Sequence, residues 1–150
     1  MRLVLDASLV VSWFFKDQRV PKSVPALRYV KENGGLVPPL WSVEIANVLV
    51  KFERRRALAE ERTAKIVEYL RGLPIAVDVG GDAPSFSSIS YARAYGLSAY
   101  DAAYLDVAVR FGLKIASLDA QLESAAASLD LLWQPSGRSR SRGKVPLRPR

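Results

Sequence analysis

Asp6, Glu44, Asp101 and Asp119 each stand at or near the start of an expected helix, in a chain with no histidine and no cysteine. Without imidazole or thiolate, the usual general base, nucleophile pairs and zinc ligands are missing. Carboxylate chemistry remains, and clustered carboxylates hold hard divalent cations such as Mg²⁺ or Mn²⁺. Such ions lower the pKa of a bound water and stabilise developing negative charge. Each acid also has a plain structural reading. Asp6 and Asp119 suit helix N-caps. Ser98-Ala99-Tyr100-Asp101 has the spacing of a capping box, with Asp in place of Glu or Gln. Glu44 would complement a helix dipole. Whether the four acids meet in space decides between these readings.

The elements that must bring them together alternate in type. Short apolar runs predict strands at Arg2–Leu5, Leu36–Val37, Ile75–Val79, Lys114–Leu118 and Leu131–Trp133. Helical spacing predicts helices over Ala7–Phe15, from Pro21 to the Asn33-Gly34 stop, and over Ser42–Arg56, Ala59–Arg71, Asp82–Tyr95, Ser98–Phe111 and Ala120–Ala127. In the Ser42–Arg56 helix, Val43, Ala46 and Val50 adjoin a second face of Ile45, Leu49 and Phe52, which predicts burial on both. In the Ser98–Phe111 helix, Ala102, Leu105, Ala108 and Val109 are expected inward. Alternating strands and helices argue an α/β fold, a central and mainly parallel sheet of about five short strands with helices on both faces. In such a sheet ligands bind beyond the carboxyl ends of the strands. Asp6 and Asp119 directly follow strands; Glu44 and Asp101 fall in expected first turns.

The chain of 150 residues, 49% hydrophobic, is the size of one domain with a sizeable core. Its lack of cysteine suits a reducing compartment, and no apolar run approaches the roughly 18 residues that span a bilayer. The expectation is a soluble, cytoplasmic protein with no membrane partner. The net charge of +7 is uneven: Gln134–Arg150 carries six of the 22 basic residues and no acid, leaving 16 basic against 15 acidic side chains in residues 1–133, a net of +1. The expected division is a folded body over 1–133 and a basic, flexible tail over 134–150.

Four segments carry a resemblance: LVLDASLVVSWF, WSVEIANVLVK, YGLSAYDAAYLDVA and KIASLDAQL. In that order they resemble the motifs of PIN-domain ribonucleases, and more narrowly the VapC-like toxins of toxin–antitoxin pairs, from Met1 to about Trp133. Gly96 to Tyr104 is the most specific stretch, and Glu44 with Asn47 one turn later the next. The resemblance implies a PIN-like three-layer fold and an Mg²⁺- or Mn²⁺-dependent endoribonuclease. It places metal-binding acids at Asp6, Glu44, Asp101 and Asp119, has Ser8 and Ser98 orient carboxylates or a water, and has Asn47 in support. It also implies an RNA substrate, a cognate antitoxin laid in a hydrophobic groove, and a homodimer. The expected reaction is attack of water on phosphorus, leaving a 5′-phosphate and a 3′-hydroxyl. The basic tail has no counterpart in the family pattern.

Other residues and readings compete. Asp106, five positions past Asp101, points to another side of its helix and reads as a solvated surface acid. Asp17 and Asp82 read as turn or cap residues. Of Trp13, Phe14 and Phe15, two are expected in the core and one in a groove shared with the Ser42–Arg56 helix. The tail reads as a solvated terminus, as an aid to phosphate binding, or as a poorly constrained extension. The alternative functions are a PIN-like RNA- or protein-binding module without catalysis, an aspartate-dependent phosphatase, and a phosphate-receiver domain. The phosphatase usually wants an acid where Ser8 stands. The receiver needs adjacent acids after the first strand and a central phosphoacceptor, for which this chain offers only Asp78.

Overall fold

β1 (Leu3–Leu5), β2 (Gly35–Val37), β3 (Ile75–Val77) and β4 (Ile115–Ala116) make one wholly parallel sheet in the order β3-β2-β1-β4. The computed structural model describes residues 1–80 and 84–136. Every residue of β1, β2 and β4 is buried. Successive strand side chains point to opposite faces, so burial of all of them means that both faces are covered. That is why these strands read as continuous apolar runs. β3 lies at the sheet edge and is only partly covered; Val77 is 46% exposed. The expected fifth strand is reduced to a single parallel bridge between Leu132 and Ile115.

The helices are α1 (Ala7–Val11), α2 (Ser23–Asn33), α3 (Leu40–Arg54), α4 (Glu60–Arg71), α5 (Pro84–Tyr95), α6 (Ala99–Phe111) and α7 (Ala120–Ser128). α1 is shorter than its expected extent to Phe15. At Ser12 the hydroxyl donates to Leu9 O (2.6 Å) and pairs with Ser23 Oγ (2.7 Å), and the chain then turns into a 3-10 segment, Lys16–Gln18, that holds Asp17. α6 stops at Gly112, whose φ of 62° lies in the left-handed region that glycine reaches without a Cβ penalty. Gly35 answers a close approach instead: a Cβ there would stand 2.7 Å from Leu5 Cδ1 on the neighbouring strand.

Two expectations about burial fail. α3 buries Trp41, Ile45 and Leu49, but Val43, Ala46 and Val50 are exposed, so only one of its apolar faces meets the core. In α6, Ala102, Leu105 and Ala108 are buried as expected and Val109 is not. Asp82 and the tail from residue 137 lie outside the described residues.

Candidate active site

The parallel sheet places the carboxyl ends of its strands at one edge, and the acids gather there. Asp6 follows β1 directly, and its backbone N–H donates to Ala116 O of β4 (3.1 Å). Asp6 occupies the N-cap position of α1 but makes no side-chain cap. Its buried carboxylate is used otherwise: Oδ2 accepts from Ser8 Oγ (2.5 Å) and from Ser117 Oγ (2.6 Å). The two hydroxyls in turn accept backbone N–H groups, Ser8 from Leu118 (3.1 Å) and Ser117 from Asp119 (2.9 Å). Asp6 is thereby braced against the segment that leaves β4. Asp119 caps α7, with Oδ1 accepting from Leu122 N–H (2.9 Å).

Asp101 is the third residue of α6. Ser98 caps the helix through its Oγ, which accepts from Asp101 N–H (3.1 Å) and donates to Asp101 Oδ2 (2.9 Å). The expected box therefore closes through the serine hydroxyl. Glu44 sits later in its helix than expected. α3 begins at Leu40 and has no acid in its first turn, so the dipole reading of Glu44 falls away. Its carboxylate instead accepts a hydrogen bond from the Tyr104 hydroxyl. Tyr104 is fully buried and lies one turn beyond Asp101 on α6.

Asp6, Glu44, Asp101 and Asp119 line one cleft of about 600 Å³, together with Ser8, Asn47 and Gln18. Among the described residues no lysine or arginine lines it. The electrostatics follow. Glu44 is raised above the ordinary carboxylate range, first by burial and then by the charges of Asp6 and Asp101, with the Tyr104 hydrogen bond pulling the other way. Asp101 is raised by burial and by the charges of Asp119 and Asp6, against the pull of Ser98. Burial, and then the bond to Glu44, push the Tyr104 phenol far up. Ser98 does not line the cleft; it reaches it through Asp101.

An all-oxygen donor set of mutually repelling carboxylates has the chemistry that suits a hard divalent cation. The set is open: among the described residues, no three acidic side chains stand close enough to ligate one ion as placed. Three of these carboxylates can share one ion only after side-chain rotation draws them inward.

The structure corrects the reading of Asp106. It is buried, not solvated; Oδ2 accepts from Arg110 Nε (2.8 Å) and Oδ1 from Ser87 Oγ (3.1 Å). Arg110 also binds Asp78, whose other oxygen accepts from Gly80 N–H (3.0 Å). Neither Asp78 nor Asp106 lines the cleft. Sequence reasoning assigned no role to Ser117, Tyr104 or Gln18. A signal existed for two of them: Tyr104 shares a helix side with Asp101 at i+3, and Ser117 lies two residues before Asp119. Of the aromatic triplet, Trp13 is buried. Phe14 meets Tyr69 edge-on (5.8 Å), and Phe15 stacks on Phe52 of α3 (4.4 Å).

The family model for the PIN domain matches residues 3–128, and the chain belongs to that family. Within it the likeness runs to VapC proteins. Ribonuclease VapC3 of Pyrobaculum aerophilum is 32% identical over 123 residues, spanning 81% of this chain and 92% of that one. Two solved structures share the fold. PAE2754 from Pyrobaculum aerophilum superposes with a TM-score of 0.63 at 21% identity, covering 83% of this chain and 84% of that one. VapC20 of Mycobacterium tuberculosis, described as a toxin that cleaves the sarcin–ricin loop, gives 0.58 at 12% identity over 82% of this chain and 94% of that one. Among the described residues no helix is long and apolar enough to cross a membrane.

Proposed function

We propose that this chain is the toxin of a toxin–antitoxin pair, an endoribonuclease that hydrolyses RNA phosphodiester bonds with Mg²⁺ or Mn²⁺ held by Asp6, Glu44, Asp101 and Asp119. The observation that carries the reading is convergence: acids from four distant segments line one cleft at the carboxyl edge of the sheet, and among the described residues no cation lines it with them. The likeness to a VapC ribonuclease supports the substrate class. A divalent ion, when bound, supplies the charge that makes water acidic enough to attack at neutral pH and that offsets charge on the phosphoryl oxygens. The residues of the chain supply position. Ser8 and Ser117 fix Asp6, Ser98 fixes Asp101, and Tyr104 fixes Glu44. Asn47, a cleft residue one turn beyond Glu44, supports the acids from behind in this reading. For the antitoxin, the structure offers an apolar groove of about 490 Å³ between α3, α4 and β3, lined by Trp41, Ile45, Leu49, Val67 and Leu70. A homodimer belongs to the same proposal.

The openness of the acid set favours one rival, a PIN-like module that binds RNA or protein without cutting. Cleavage of RNA by purified, antitoxin-free protein separates the two. The endonuclease reading expects cleavage that chelator stops, that Mg²⁺ or Mn²⁺ restores, and that Asp6→Asn or Asp101→Asn abolishes in a folded protein. Cleavage that persists in chelator refutes the metal assignment. RNA binding without cleavage under any divalent ion establishes the rival.

A further inference from the structure

A polyanionic substrate needs cations, and among the described residues the cleft wall has none. On the side bordered by Leu118, the adjoining cavity is lined by Lys22, whose ammonium is already paired with Glu123. The α3 side differs. Glu44, Asn47 and Val48 line the cleft. At 100° per residue, Lys51 and then Arg55, the residue that closes α3, continue that side of the helix; at 1.5 Å per residue they stand about 10 Å and about 16 Å from Glu44 along the axis. The stacking of Phe15 on Phe52 fastens the 3-10 segment Lys16–Gln18 against this part of α3, and Gln18 itself lines the cleft. Lys16, Lys51 and Arg55 are all exposed, and among the described residues none is in an ion pair.

We propose that Lys16, Lys51 and Arg55 form a track for the phosphates of the single-stranded RNA that flanks the scissile bond. The inference rests on the ribonuclease reading above and gives it a direction: the strand runs from the acid cleft along α3, not past Lys22. Cations at a helix C-terminus also complement the helix dipole. That accounts for Lys51 and Arg55 but not for Lys16, which belongs to another segment, and it predicts no effect on RNA binding.

The test is the salt dependence of binding, in chelator, of a fluorescein-labelled oligouridylate to the full chain. Single-stranded contacts contribute about 0.7 each to the slope of log K against log salt, so Lys16→Gln/Lys51→Gln/Arg55→Gln makes the slope shallower by about 2. Lys16→Gln alone, away from the helix end, makes it shallower by about 0.7 and reads the track even if the triple variant is poorly folded. Lys22→Gln leaves it unchanged. An unchanged slope in the folded triple variant, or in Lys16→Gln alone, overturns the track, as does a loss confined to Lys22→Gln. Cleavage is read separately with Mn²⁺, where the triple variant raises KM for the oligomer and keeps kcat. Wild-type protein that binds with the expected slope but cuts no RNA refutes the nuclease reading and leaves the track standing.

Discussion

Ser117→Ala tests how the acids are held. Ser117 is fully buried, and its hydroxyl serves two groups at once: it donates to Asp6 Oδ2 at 2.6 Å and accepts Asp119 N–H at 2.9 Å. A hydrogen bond to a charged group is worth about 1.5–3 kcal/mol, and leaving a partly buried N–H without its acceptor adds about 1 kcal/mol. The expected loss is therefore about 3 kcal/mol, or about 6–12 °C in Tm for a chain of this length. Ser8→Ala removes an equivalent pair of bonds at a half-buried position that water reaches, and is expected to lose less, about 1–2 kcal/mol. The partition is measured by a double-mutant cycle with Asp6→Ala, using urea denaturation followed by circular dichroism in chelator. In the Asp6→Ala background only the Asp119 N–H bond remains to be lost, so Ser117→Ala falls to about 1 kcal/mol and the coupling is about 2 kcal/mol. A coupling below about 0.5 kcal/mol, the size of an ordinary surface effect, would refute the claim that Ser117 braces Asp6.

Arg110→Ala strips the partner from two acids whose side chains are each 4% exposed, Asp78 and Asp106. Because Arg110 itself is 35% exposed and water can enter, the expected loss is at the low end for a broken buried pair, about 3 kcal/mol by urea denaturation at neutral pH. Recovery on adding Asp78→Asn and Asp106→Asn would follow; a loss no larger than that of a surface arginine rules the pairing out. The same network sets a pH dependence. Burial alone would raise Asp78, but the Arg110 and Gly80 hydrogen bonds and the Arg110 charge bring it below the ordinary range, so its stabilisation is present above the unfolded value and lost as pH falls through the folded one. Glu44 and Asp101 act in the opposite sense. Their raised folded values favour the folded state below about pH 4, and that contribution is lost as pH rises through them. Metal-free protein with Arg110→Ala should therefore lose stability on going from acid to neutral pH, and Mn²⁺ should reverse only the part of the loss that Glu44 and Asp101 contribute. Tyr104→Phe removes the bond that holds Glu44 down, so the Glu44 carboxyl resonance should titrate higher than in wild type; a lower midpoint would sink that assignment.

Asp6 and Asp119 were legible as neighbours because each directly follows a continuous apolar run, and parallel strands paired side by side put their ends together. The type of nearly every element was legible too, since apolar period and the Gly and Pro stops are local properties. What each face of an element meets is not local. Val43, Ala46 and Val50 of α3 have the same spacing whether a neighbour covers them or not, and all three are exposed. Asp106 was read as solvated because a helix wheel shows only its own residues; Arg110 and Ser87 make its burial tolerable, and the second of these comes from α5.

The residue types alone pointed to carboxylates and a hard cation, because a chain without imidazole or thiol lacks the ligands that favour a softer one. Tertiary packing alone decided that Glu44 and Asp101 join Asp6 and Asp119. α6 leads into a parallel strand and so begins at the edge where the strands finish, and Tyr104, buried on that helix, reaches across to the carboxylate of α3. It also decided that Ser117 holds two of the acids in register, a contact between segments 111 residues apart that no spacing within either segment encodes.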